Sequence, residues 1–410
     1  MGAGRRGGGA RMGGVDLDQF AALRTPEGSA ALAAATEVAG GDPLAAAAAL
    51  RAGGVPAGLS AAALTQAELR RRAVGKFGPE AAGMFLTRAG LEQATRRPVA
   101  DRRAARLRAA GVATFADLGC GLGADALAAA RAGIRVYGVE ADPVTAAMAA
   151  ANAEAAGLAG LFTVQVGDAT AFDVSRVEGV FCDPARRRAG TGRRIFDPNS
   201  YSPPWDFVTG LAERVPRTVV KVAPGIDHAL IPAGAEAEWV SVDGDLVEAA
   251  LWCGRLAEVP RRATLLRGDA VHTLTGSGAA EAPVGPTRRF LYDPDPAVVR
   301  AHLVAELAGA LDATLADASI AYLYADHPTA TPFARCLEVT DVLPFSLKRL
   351  RALLRDRRVG RVEILKRGSA LEPEKLRRDL RLAGDSAASL VLTRVAGAPT
   401  VLLCHPVPTP

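Results

Sequence analysis

The chain has 410 residues, more than one ordinary hydrophobic core accommodates, so two or three domains are expected. Hydrophobic residues make up 49% and charged residues 23%, and no apolar run reaches the roughly 18–20 residues that span a bilayer. That composition excludes a helical membrane protein and predicts a soluble, cytoplasmic one. The net charge of +5 points mildly to a polyanionic partner.

The first 14 residues are rich in Gly and Arg and lack an apolar stretch. They read as a disordered tail, or as sequence upstream of a start at Met12, and not as a secretory signal. From 15 to 111, apolar positions recur at helical spacing. Start signals at Thr25-Pro26-Glu27, Gly41-Asp42-Pro43 and Ser60 predict a helical N-terminal domain. Its second half is basic, with 11 Lys/Arg against 3 Asp/Glu over 70–108. A solvated helical face is the more common meaning of such a block, and nucleic-acid contact the less common.

The texture changes at 112. Strand-like runs at 114–118, 135–139, 162–166, 179–182 and 218–222 alternate with helical ones, which predicts a parallel sheet with right-handed crossovers. Two further runs, 238–242 and 246–252, flank Asp243-Gly244, a strong turn dipeptide. They predict a closing antiparallel hairpin for a domain ending near 275. A Gly, Ala and Pro-rich linker is expected over 276–287. A third unit, 288–410, reads as a helix at 296–311, strands at 320–324 and 335–342, then a helix, a strand, a helix and two strands. That order predicts an α+β unit of ferredoxin-like type. It is basic as well, with 13 Lys/Arg against 5 Asp/Glu over 344–382.

Five scattered cysteines without a CxxC pair argue against a disulfide framework, and the histidines lack ligand spacing, so no metal is expected. The chemistry sits at strand ends. Residues 117–125, DLGCGLGAD, carry Gly119, Gly121 and Gly123, which let the backbone turn tightly against a ligand before a helix opens. Taken alone, these glycines also satisfy a dinucleotide fingerprint. Asp117 stands where a carboxylate can meet a cationic amino group, which no pyrophosphate needs. Glu140 ends the second strand, where ribose hydroxyls bind in both kinds of site. Asp168 follows the third strand and can accept from an adenine amine; Asp183-Pro184 follows the fourth. Any one of these acids alone is most often a helix N-cap. All four in order at the ligand edge of a sheet outline one crevice.

Over 114–255 this pattern resembles the class I S-adenosylmethionine-dependent methyltransferases. The resemblance implies a Rossmann-like α/β sheet in which Asp117, Gly119, Gly121 and Gly123 hold the methionine moiety, Glu140 the ribose and Asp168 the adenine. From the helical region onward, DPARR, RRIFDPNSYSPPW and VGRVEILKRG resemble bacterial methyltransferases with a C-terminal THUMP-like domain, similar to RNA guanine-N2 methyltransferases. S-adenosyl-L-methionine is then the cofactor, and RNA (tRNA or rRNA) the partner.

In amino-methylating relatives, a [D/N]-P-P-[aromatic] turn accepts the hydrogens of an exocyclic amine and stacks a ring on the base. Here Asp183 and Pro184 fit, while Ala185 and Arg186 replace the second proline and the aromatic. Ser202-Pro203-Pro204-Trp205 matches the aromatic form more closely, but no strand is expected before it. Phe196, Tyr201 or Trp205 could replace the missing ring; a ring that merely covers the sheet edge is the competing reading. Arg186, Arg187, Arg188, Arg193 and Arg194 beside the turn suggest a rim for a phosphate backbone. Lys366 and Arg367, with the basic helix before them, suggest a second RNA-facing surface. Lys221, in VVKVAPG, is either a snorkelling lysine or a pocket residue. Cys182, inside its strand, is poorly placed for nucleophilic attack on a pyrimidine. The expected function is methylation of an exocyclic nitrogen, guanine N2 favoured, in structured RNA. A small-molecule methyltransferase and a non-catalytic RNA-binding or assembly protein are the alternatives.

Overall fold

The computed structural model describes residues 16–186 and 201–407. The chain divides into two compact units: Met1–Lys221 with Trp252–Leu256, and Val222–Leu251 with Ala257–Pro410.

The first unit opens with α1 (Leu17–Leu23), α2 (Pro26–Val38), α3 (Pro43–Ala52), α4 (Ala57–Phe77), α5 (Arg88–Gln93) and α6 (Arg97–Ala109). The start signals act as expected for two of these helices: Thr25 and Asp42 accept from backbone N–H groups of α2 and α3, each ahead of a proline at the first helical position. Ser60 is no start; α4 begins three residues earlier, behind Pro56, and Ser60 is buried inside it. Leu23, Leu32, Leu50 and small alanines form the bundle core. Gly28 is required by closeness, since a Cβ there would lie 2.0 Å from the Ala22 carbonyl.

Strands β1 (Thr114–Leu118), β2 (Arg135–Glu140), β3 (Phe162–Val166) and β4 (Gly179–Cys182) follow, with α7 (Ala124–Arg131) after β1 and α8 (Pro143–Ala155) after β2. A short ladder pairs β5 (Ala185–Arg186) with β6 (Tyr201–Ser202), and then come α9 (Trp205–Arg214) and β7 (Thr218–Val222). The order β7-β4-β1-β2-β3 is parallel throughout, as the alternating texture requires. β1 and β4 are buried almost completely, which puts their C-terminal ends at the centre of the ligand edge.

In the second unit, β8 (Glu236–Val242) and β9 (Asp245–Trp252) form the expected hairpin. Asp243 and Gly244 both have positive φ, 50° and 87°, which suits a two-residue turn of type I′. Strand β10 (Arg261–Arg267) runs parallel to β8, and β11 (Ala270–Gly276) antiparallel to β10. The Trp239 indole stacks on His228 at 4.9 Å between ring centroids, and His228 stacks on His302 at 3.8 Å.

A seven-stranded sheet completes this unit. It comprises β12 (Phe290–Pro294), β13 (Thr314–Leu315), β14 (Leu323–Ala325), β15 (Ala334–Pro344), β16 (Val359–Lys366), β17 (Ser386–Val395) and β18 (Ala398–Pro406), in the order β13-β14-β12-β15-β18-β17-β16. The helix expected at 296–311 is two, α10 (Pro296–Arg300) and α11 (Val304–Leu311). His302 adopts positive φ between them and Leu303 is fully buried. Helices α12 (Leu347–Asp356) and α13 (Pro373–Leu380) share one apolar cluster with the sheet through Leu350, Leu354, Leu376 and Leu380. Their other faces are exposed and basic: Lys348, Arg349 and Arg355 on α12, Lys375, Arg377 and Arg378 on α13. No helix among the described residues is long and apolar enough to cross a membrane.

Candidate active site

The glycine turn after β1 is built by positive φ at Gly119 (87°), Gly121 (55°) and Gly123 (86°). A side chain at Gly123 would also strike the Phe162 ring at 2.8 Å. The turn is stitched to the end of β2: Gly119 and Cys120 donate to the Val139 carbonyl, and Gly121 donates to Glu140 Oε2 at 3.0 Å. Glu140 Oε1 accepts from Asp142 N at 2.9 Å. Both oxygens are thereby oriented, each with a lone pair to spare for a hydroxyl.

Asp117 is 1% exposed, and neither carboxylate oxygen has a hydrogen-bond partner. Burial pushes its carboxyl well above the ordinary range, nearby Asp125 and Asp183 add to the rise, and Arg103 and Lys221 oppose it. A buried acid with no donor to either oxygen has the capacity to receive a cationic donor from outside the chain. Asp168 caps the turn Ala169–Ala171, its Oδ1 accepting from Thr170 N and Oγ1 at 2.8 Å each. These two bonds hold its carboxyl below the usual value. The N-cap role that such an acid commonly has is therefore real here, with Oδ2 left over.

Asp183 follows β4 with its side chain 35% exposed, and Lys221 Nζ lies 2.7 Å from its Oδ2. Oδ1 has no hydrogen bond among the described residues. Lys221, only 14% exposed, is thus held to an acid rather than extended into solvent as a snorkelling lysine would be. The neighbouring Cys182 thiol is buried, and burial followed by the charges of Asp183 and Asp117 pushes it far up, so it is a poor nucleophile.

The expectation that no strand precedes Ser202-Pro203-Pro204-Trp205 is overturned. Tyr201–Ser202 pairs with Ala185–Arg186, Ala185 facing Ser202, so this turn is hydrogen-bonded to the chain immediately after Asp183-Pro184. A two-residue ladder is too short to leave an alternating signal in sequence. Trp205 is 8% exposed at the start of α9, which makes it part of the core beneath the turn. Arg186 and Tyr201 are described in backbone only. Arg187, Arg188, Arg193, Arg194 and Phe196 lie outside the described residues. In the second unit, Arg367 is tied to Asp293 and the Pro294 carbonyl and lies over Tyr322, while Lys366 bonds the Leu371 carbonyl and Glu372.

Helices of this unit supply residues that sequence spacing does not reveal. Buried Asn152 on α8 donates to the Phe85 and Leu122 carbonyls and accepts from Phe85 N, clamping the segment before α5 to the glycine turn. Gln66 holds Leu86 through both its backbone groups. Arg103 pairs with Asp125 and lies over the Phe181 ring at 4.5 Å; Arg106 lies over Trp252 at 4.0 Å. Lys76 Nζ bonds the carbonyls of Leu91, Glu92 and Ala94. Much of the first basic block is therefore used inside this unit.

Residues 116–184 match the family described as methyltransferase domain, residues 334–406 the THUMP domain-like family, and residues 16–73 a domain of unknown function, DUF8688. An uncharacterized S-adenosylmethionine-dependent methyltransferase of Mycobacterium tuberculosis (strain CDC 1551 / Oshkosh) is 36% identical over 358 residues. The match covers 82% of this chain and 95% of that protein, and a protein of strain H37Rv matches equally well. The chain belongs to the S-adenosylmethionine-dependent methyltransferases. A solved methyltransferase structure from Porphyromonas gingivalis W83 has a TM-score of 0.69 at 20% identity, covering 86% of this chain and 92% of that one, which shows the shared fold.

The residues present in this methyltransferase fit the cofactor. Its ammonium would meet the buried carboxylate of Asp117, whose oxygens have no hydrogen-bond partner, beside the positive-φ turn of Gly119, Gly121 and Gly123.

Proposed function

We propose that the methyltransferase acts in the cytoplasm on an exocyclic base nitrogen of structured RNA, with guanine N2 the leading position. The observation that carries this reading is Asp183. Its carboxylate stands at the end of β4, close enough to Asp117 to act on its charge, with one oxygen engaged by Lys221 and the other open.

S-adenosylmethionine, when bound, supplies an electrophilic methyl carbon on a sulfonium sulfur. Asp117 would hold its ammonium, Glu140 the ribose hydroxyls and Asp168 the adenine amine. Asp183 Oδ1 would accept one N–H of the acceptor amine and so aim the nitrogen lone pair at the methyl carbon. The amine nitrogen would receive the methyl group that the cofactor supplies, and its surplus proton would leave to water. The exposed cations of α12 and α13 support a polyanionic acceptor. A small-molecule acceptor is favoured by one observation, the internal use of the first basic block.

Both readings meet one experiment. RNA from cells lacking the gene is analysed by nucleoside mass spectrometry, then incubated with the protein and tritiated S-adenosylmethionine. One methylated nucleoside should be missing and then restored. An unchanged nucleoside profile rejects an RNA acceptor. Asp183→Ala should abolish transfer and leave cofactor affinity within about twofold, roughly 0.4 kcal/mol.

A further inference from the structure

We propose that Lys221 is a positioning residue of the acceptor site: it occupies one oxygen of Asp183, so that the other meets the N–H of a neutral amine. The inference rests on the reading of Asp183 as the acid that orients the acceptor.

Lys221 is the one partly exposed position in a strand whose other members are buried, and its side chain is only 14% exposed. An ammonium so placed must be received by oxygen atoms. Two of those that receive it are Asp183 Oδ2 at 2.7 Å and the Gln93 carbonyl at 3.3 Å. Gln93 closes α5, and the carbonyls on either side of it are held by Lys76 at 2.7, 2.8 and 2.9 Å. The end of α5 is thereby fixed by one lysine, and a second lysine carries that fixed point across to the acid.

The pair also selects among amines. A lone carboxylate attracts an ammonium most strongly, yet an ammonium has no lone pair with which to attack a methyl carbon. Joined to Lys221, Asp183 belongs to a pair without net charge. Oδ1 then favours a polar but neutral N–H, and the nitrogen keeps its lone pair for the cofactor. The acceptor class that fits is a weakly basic amine attached to an aromatic or amide-like ring, rather than an alkylamine protonated at neutral pH.

The test uses the full chain with Lys221→Ala, Lys221→Arg, Asp183→Asn and the double variant Lys221→Ala/Asp183→Asn. Transfer of tritiated methyl to RNA from cells lacking the gene is measured, with cofactor affinity in parallel. Lys221→Ala should lower kcat at least about tenfold, with KM for RNA and cofactor affinity changed less than about threefold. Lys221→Arg should recover most of the rate, and Lys221→Ala should cost little more once Asp183→Asn is present. An unchanged kcat in Lys221→Ala beside a crippled Asp183→Asn overturns this proposal alone, as does a loss that multiplies fully with that of Asp183→Asn. Full activity of Asp183→Ala overturns the reading of Asp183 and this proposal with it. Melting temperatures of the four proteins give a readout that needs no acceptor: the two single losses should sum to more than the double loss, and strict additivity overturns the pairing.

Discussion

Asp117 is held in the folded protein without a hydrogen-bond donor to either carboxylate oxygen. Because burial raises its carboxyl, the unfolded chain loses this proton at lower pH than the native one does. Between the usual carboxylate value of 3.8 and the raised value, stability without cofactor therefore falls as pH rises. An arriving ammonium favours the ionised form, so cofactor binding should release a proton and strengthen with pH across the same range. Calorimetry in two buffers of different ionisation heat measures this, and equal apparent enthalpies would contradict it. Asp117→Asn should weaken cofactor binding about 10- to 100-fold, as expected for a lost charge-assisted hydrogen bond of roughly 1.5–3 kcal/mol. Arg103 acts on the fold instead. Arg103→Ala strands the nearly buried Asp125 and should cost about 3–5 kcal/mol in denaturant unfolding.

Between elements, Asn152 joins α8, the glycine turn and the segment entering α5. Asn152→Ala leaves buried backbone groups unpaired and should cost about 1–3 kcal/mol. Amide exchange at Phe85, whose N–H Asn152 accepts, should then speed up more than exchange in β12. Strand ends were readable because an acid or a glycine after an apolar run is a local signal, as at Asp117 and Asp183. The turn dipeptide Asp243-Gly244 was local too. Lys221 and Gln93 are 128 residues apart in sequence, and periodicity tells which face a residue occupies, never what stands opposite. For the same reason the arginines of α6 looked like a solvated or RNA-facing row. Arg103 is buried against β4 because a carboxylate and an aromatic ring are waiting there.

At the scale of the molecule, positive charge is plentiful but unequally available. Arg103, Arg106 and Lys76 are committed to partners within their unit, while α12 and α13 keep theirs on the surface. If RNA binds there, Arg349→Ala and Arg355→Ala should each flatten the slope of log affinity against log salt by up to about 1. Filter binding across a salt series decides, and an unaltered slope moves the contact elsewhere.

The ring stack of Trp239, His228 and His302 has an optical use. Of the three tryptophans, Trp205 and Trp252 belong to the first unit, so Trp239 alone reports on the second. Burial, then His302 and Arg261, push His228 down to about 4, whereas an unfolded histidine titrates near 6.5. The neutral stack thus contributes stability above pH 6.5 that is lost as pH falls toward 4. In a Trp205→Phe/Trp252→Phe protein, emission should shift and brighten on acidification in step with loosening of the second unit. With Trp239→Phe instead, the same titration would follow the cofactor-binding unit alone, giving two separate fluorescent readings of one chain.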